Sequence, residues 1–103
     1  MSNVGSMADL PTWDDFRCAA LARGCNEAVV RDWTPLEVVP EHSHPFKAEA
    51  LVVAGEMWLT QNGQVAHVVV GDTFTLAAHE LHDERYGPAG ATYWVARTAL
   101  DAE

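Results

Sequence analysis

The sequence predicts an all-β domain, an antiparallel sandwich or barrel carrying one short N-terminal helix. Three observations carry this. First, residues 28–98 break into short segments rich in β-branched and aromatic residues: "AVVRDW", "LEVVP", "EALVVAG", "EMWLT", "VAHVVV", "TFTL" and "ATYWVAR". Second, turn-forming residues separate them, at Thr34-Pro35, Asn62-Gly63, Gly71-Asp72 and "GPAG" at 87–90. Third, only one stretch, "LPTWDDFRCAALARGCNEA", has helical periodicity.

In chain order, residues 1–10 read as a disordered or tag-like leader. Residues 11–27 hold the helix, with Thr12 and Asp15 in the pattern of a capping box. Trp13, Phe16 and Ala20 form its apolar stripe and Gly24 its stop, so the helix packs on the barrel. The barrel itself is expected over 28–98, followed by a tail at 99–103. Within it, Asn62-Gly63 is the clearest hairpin signal, because both residues tolerate the positive φ of a type I′ turn.

Composition narrows the function classes. The 103 residues suffice for one core. Fifteen acidic against six basic side chains give a formal charge of −9, which repels a phosphate backbone, so no nucleic-acid partner is expected. Two cysteines, Cys18 and Cys25, do not make the dense disulfide framework of a small secreted domain. No apolar run is long enough to span a membrane. A cytoplasmic protein with no membrane partner is the expectation. The apolar "LEVV" and "MWL" segments and four tryptophans exceed what a solitary small barrel hides, which points to a homodimer.

The five histidines are not equivalent. His67 lies in an alternating strand and reads as a surface or packing residue. His42 and His44, two apart at a strand entry, share one face and are able to grip one ion together. His82 follows a Gly-Asp turn and a short strand. His-x-His, a following acidic residue and glycine, then "GDTFTLAAHELH", resemble the two motifs of the cupin superfamily. Motif one there runs Gly, five residues, His-x-His, three or four residues, Glu, six residues, Gly. Motif two runs Gly, five residues, Pro-x-Gly, two residues, His. His42, His44, Gly55, Gly71 and His82 fall on motif positions. The resemblance implies an antiparallel jelly-roll β-barrel whose mouth or interior holds a divalent transition metal (Fe, Mn, Ni, Cu or Zn). Ala77 and His79 replace the proline and glycine of motif two, so that loop turns without its usual residues, and His79 is expected to face solvent.

Two carboxylates compete for the remaining place at the ion. Glu49 is five residues past His44, which the longer form of motif one admits. Counted back from Gly55, however, the motif position is Ala48. The alternation agrees: Ala48, Ala50, Val52 and Ala54 share one face and Glu49 the other, unless a bulge lies between Phe46 and Glu49. Glu84 shares a face with His82 and Tyr86, so Glu84 and Tyr86 are candidate catalytic residues. Glu84 serves there as base, as partner to a ligand histidine or as the missing carboxylate, or else it pairs at the rim with Arg85 or Arg97. His42, His44 and His82 alone would resemble the three-histidine iron site of thiol dioxygenases and β-diketone-cleaving dioxygenases. The expected function is that of a metal-dependent enzyme, dioxygenase-like or a lyase or isomerase, acting on a compact organic acid or carbonyl compound. The alternatives are a non-catalytic sensor module that binds a small ligand or metal, and a degenerate barrel without metal.

Overall fold

The computed structural model describes residues 10–99. Helix α1 (Trp13–Ala22) is followed by six strands: β1 (Glu27–Trp33), β2 (Val38–His42), β3 (Phe46–Gln61), β4 (Gln64–Val69), β5 (Thr73–Leu76) and β6 (His82–Ala99). The expected leader and tail lie almost wholly outside the described residues.

All pairings are antiparallel. The first part of β3 pairs with β5 and with the last part of β6, which also pairs with β1. The last part of β3 pairs with β4 and with the first part of β6, which also pairs with β2. Two four-stranded walls therefore share β3 and β6, which is the jelly-roll arrangement. Because two long strands serve both walls, the described residues form six strands rather than the seven or so short ones expected. "GPAG" does not separate two strands: β6 runs through it.

The long strands turn the corner between walls by bulging. Register shifts lie between Val52 and Ala54 and between Gly55 and Met57. Inward positions change parity there, from Ala48, Ala50 and Val52 to Met57 and Leu59. Ala54, expected inward, is exposed because the bulge intervenes. Strand β6 does the same across residues 87–90, from His82, Glu84 and Tyr86 to Ala91, Tyr93 and Val95. Gly55 has φ +73, and a Cβ there would collide with the backbone of Gly90. The corner is thus a backbone-to-backbone crossing that only glycine permits.

The outer face of the first wall is covered by α1. Thr12 Oγ1 accepts a hydrogen bond from Asp15 N at 3.0 Å and caps the helix. Trp13 and Phe16 meet Trp94 with ring centroids 5.5 and 5.7 Å apart. Ala20, Cys25 and Ala96 close the gap behind them. Asn62 (φ 52) and Gly63 (φ 77) make the β3–β4 turn with two successive positive φ values. No helix among the described residues is long and apolar enough to cross a membrane.

Candidate metal centre

Strand pairing alone brings the three histidines together. His42, the last residue of β2, is the register partner of His82, the first residue of β6. His44 follows on the same side, before β3. One ring nitrogen from each lies within 4.8 Å of the others. The His42–His82 and His42–His44 ring centroids are 4.2 and 4.7 Å apart. His82 is 1% exposed, so its ring sees protein on every side.

The rings are held in orientations that suit ligation. His42 Nδ1 lies 2.7 Å from Pro40 O and His82 Nδ1 3.0 Å from Glu80 O. A backbone carbonyl only accepts, so Nδ1 of each ring donates to it and Nε2 is the nitrogen left to meet an ion. His82 Nε2 is buried with no hydrogen-bond partner. A buried orphan nitrogen costs free energy unless something occupies the space before it. Burial lowers the pKa of His44, and the neighbouring charges of His42, His82, Arg97 and Arg31 lower it further, which favours the neutral imidazole. Three imidazoles with converging nitrogens are a donor set for a divalent transition ion.

Of the two candidate carboxylates, only Glu84 reaches this cluster. Strand β3 pairs with β6 in unbroken register from Phe46 to Val52, so the bulge that would turn Glu49 inward is absent. Glu49 lies on the outer face. Its Oε1 is 3.0 Å from Arg23 Nη2 and its Oε2 3.6 Å from Lys47 Nζ. The hydrogen bond from Arg23, with help from the Lys47 charge, holds its carboxyl below the usual range despite some desolvation. Ala48 takes the inward position and is buried. Glu84 is 3% exposed, and its Oε2 lies 3.3 Å from His82 Nε2 and 3.9 Å from His42 Nε2. The first contact has the distance of an ion pair but not the alignment of a hydrogen bond, which leaves the His82 nitrogen orphaned. Bonds of about 2.0–2.1 Å to a shared ion place neighbouring donor atoms about 3.0–3.4 Å apart, so that contact has the spacing of two ligands.

Tyr86 donates its hydroxyl to Glu84 Oε1, which leaves Oε2 toward the histidines. Burial, then the nearby Tyr93 and Glu84, push the Tyr86 phenol far up, so it stays protonated and remains a donor. Neither Arg85 nor Arg97 forms an ion pair with Glu84 among the described residues; Arg97 pairs instead with Glu27 at 3.1 Å. His67 stands apart, stacked on Trp58 at 4.6 Å and bonded to Glu56 at 2.7 Å, and His79 is exposed.

The motif glycines replaced in this chain keep their backbone shape. His79, where motif two has glycine, has φ 67, and its N donates to His44 O at 2.6 Å. Leu36, six residues before His42 where motif one begins with glycine, has φ 62. Sequence reasoning missed Tyr93 and Arg31, which line the cavity beside His44, and considered Arg97, the third residue there, only as a rim partner of Glu84. The alternation Ala91, Tyr93, Val95, Arg97 would have placed Tyr93 and Arg97 inward once the parity change at 87–90 was known.

No protein-family model and no curated protein matches the chain. Solved structures do. An RmlC-like cupin from Shewanella frigidimarina superposes with a TM-score of 0.64 at 21% identity, over 74% of this chain and 68% of that one. The chain has the cupin fold. A double-stranded β-helix protein from Klebsiella pneumoniae matches this cupin barrel with a TM-score of 0.63 at 25% identity, over 75% of this chain and 70% of that one. A DMSP lyase structure gives 0.68 at 18% identity, over 74% of this chain but 40% of the other.

Proposed function

We propose that this cupin barrel is a metal-dependent enzyme acting on a compact organic acid or carbonyl compound. The observation that carries this is the set of converging donors: three histidines within 4.8 Å, with Glu84 Oε2 at 3.3 Å from His82 Nε2. His42, His44 and His82 would hold the ion, Glu84 would supply the carboxylate, and Tyr86 would orient Glu84. Once bound, a divalent transition ion supplies Lewis acidity toward a substrate oxygen. The chain's own part is positioning. Pro40 O and Glu80 O fix two imidazoles, and the Tyr86 hydroxyl holds Glu84 Oε1 so that Oε2 stays turned toward them, where it would either join the ion or, unbound, take a proton from substrate. Ala48 leaves room beside the ion where a longer side chain would fill the cavity. That a DMSP lyase shares the fold makes lyase chemistry one candidate on such a barrel.

Elemental analysis of protein purified without added metal tests the reading. Near-stoichiometric transition metal in the wild type, lost from His82→Ala with the fold retained by circular dichroism, is the expected result. Absence of every transition metal, or full metal content in the variant, would overturn it. An oxygen-consumption and product screen over small keto acids, thiols and 1,3-diketones then separates dioxygenase from lyase or isomerase chemistry. Metal-loaded protein that turns over none of these, but binds some of them, would identify a sensor.

A further inference from the structure

Beside the histidines lies a small, partly open cavity of about 30 Å³. Its wall is mixed: Phe46, Phe74, Leu76 and Val95 supply an apolar side, and Arg31 and Arg97 enter it as well. Both arginines stand on the inward face: Arg31 alternates with Val29 and Trp33 on β1, and Arg97 continues Tyr93 and Val95 on β6. An inward charge is costly unless matched. Arg97 is matched in part, through Nη1 to Glu27 Oε2 at 3.1 Å, while its Nε is buried with no partner. Arg31 forms no ion pair among the described residues. Its guanidinium lies over the Trp33 ring, 4.7 Å from the centroid, which fixes its plane.

Shortage of acids does not explain this, since the chain carries fifteen against six basic residues. The one carboxylate lining the cavity, Glu84, is engaged by Tyr86 and faces His82. We infer that Arg31, with Arg97 beside it, binds the carboxylate group of a short-chain carboxylic acid whose other end meets the histidine cluster. A planar guanidinium with a free edge matches a carboxylate through two parallel hydrogen bonds, and the small, partly open cavity restricts the acid to a few carbons. The inference rests on the proposed function for the role of the histidine end, but the arginine end can be tested without an ion.

Pyruvate is the probe and pyruvamide its uncharged counterpart. Each is titrated into metal-free and into zinc-loaded protein, with arginine Nε–H and tryptophan indole signals followed by NMR. Pyruvate should shift the Arg31 and Trp33 signals in both forms and pyruvamide should not. Arg31→Gln should weaken pyruvate binding about tenfold or more while leaving zinc content unchanged, and Arg31→Lys should fall between. Equal binding of pyruvamide, undiminished binding in Arg31→Gln, or inorganic phosphate binding as tightly as pyruvate would each overturn the assignment. If Arg31→Gln does not fold, the wild-type pair of probes and Arg31→Lys still decide. Charge-selective, Arg31-dependent binding in a protein that takes up no zinc would sink the metal reading and leave this one standing. Zinc uptake with no charge selectivity would do the reverse.

Discussion

Glu49 on β3 and Glu84 on β6 both follow a histidine of the cluster, yet they lie on different walls, one facing out of the barrel and the other into it. Glu49 is five residues past His44 and points outward to Arg23 and Lys47. Glu84 is two past His82 and is 3% exposed inside the barrel. Distance along the chain from a ligand matters less than parity relative to it, because side chains alternate across the pleat. An even offset without an intervening bulge keeps the face; an odd one loses it.

The sharpest test exchanges the two positions. Glu84→Ala should reduce metal affinity by at least the 10–100-fold seen when a supporting group is removed, while Glu49→Ala leaves it unchanged, as metal titration would read. Placing a carboxylate at the inward site of β3 should then compensate: Ala48→Glu in the Glu84→Ala background should recover much of the lost affinity. No recovery in a folded double variant would show that the ion is not held between these walls.

A smaller effect is expected from the two positive-φ residues. Leu36 is 71% exposed and His79 is exposed, so glycine at either removes left-handed strain with little packing lost. Strain of about 1–2 kcal/mol, offset by about 0.5–1 kcal/mol of glycine chain entropy, predicts a gain of roughly 0.5–1 kcal/mol each. A melting temperature unchanged or lowered would refute it.

The smallest effect belongs to Glu49→Gln. A surface ion pair contributes about 0–1 kcal/mol, further reduced by salt. Because its pKa is lowered in the fold, the contribution is present above the unfolded value of 4.5 and disappears as the pH falls through the lower folded value. Denaturant midpoints of wild type and variant should therefore differ slightly at pH 7 and converge as the pH falls through the lowered folded value.

Much of this was legible in the sequence, and the exceptions share one cause. The helix stripe, the Asn62-Gly63 hairpin and the His42-x-His44 pair depend on neighbours in the chain, and local chemistry specifies them. So does the parity that separates Glu49 from Ala48. What could not be read was where parity resets. The bulges near Gly55 and across 87–90 exist because two glycines from distant strands cross in contact, and nothing within either segment announces the other. That is why Ala54 was assigned inward, why "GPAG" read as a turn, why Arg97 was placed at the rim as a partner for Glu84, and why Tyr93 went unnoticed.

The imidazole anchors carry a further consequence. His42 is steadied by the carbonyl of Pro40 and His82 by that of Glu80, in each case two residues earlier on its own chain segment. Each orientation is thus a property of a tripeptide, not of the surrounding barrel. Such a ligand is portable: loops between the two segments can lengthen, shorten or diverge while each ring keeps its aim. A designer grafting this pair of rings onto another antiparallel pair of strands would carry both aims over with two tripeptides in register, and would add His44 and Glu84 as separate placements.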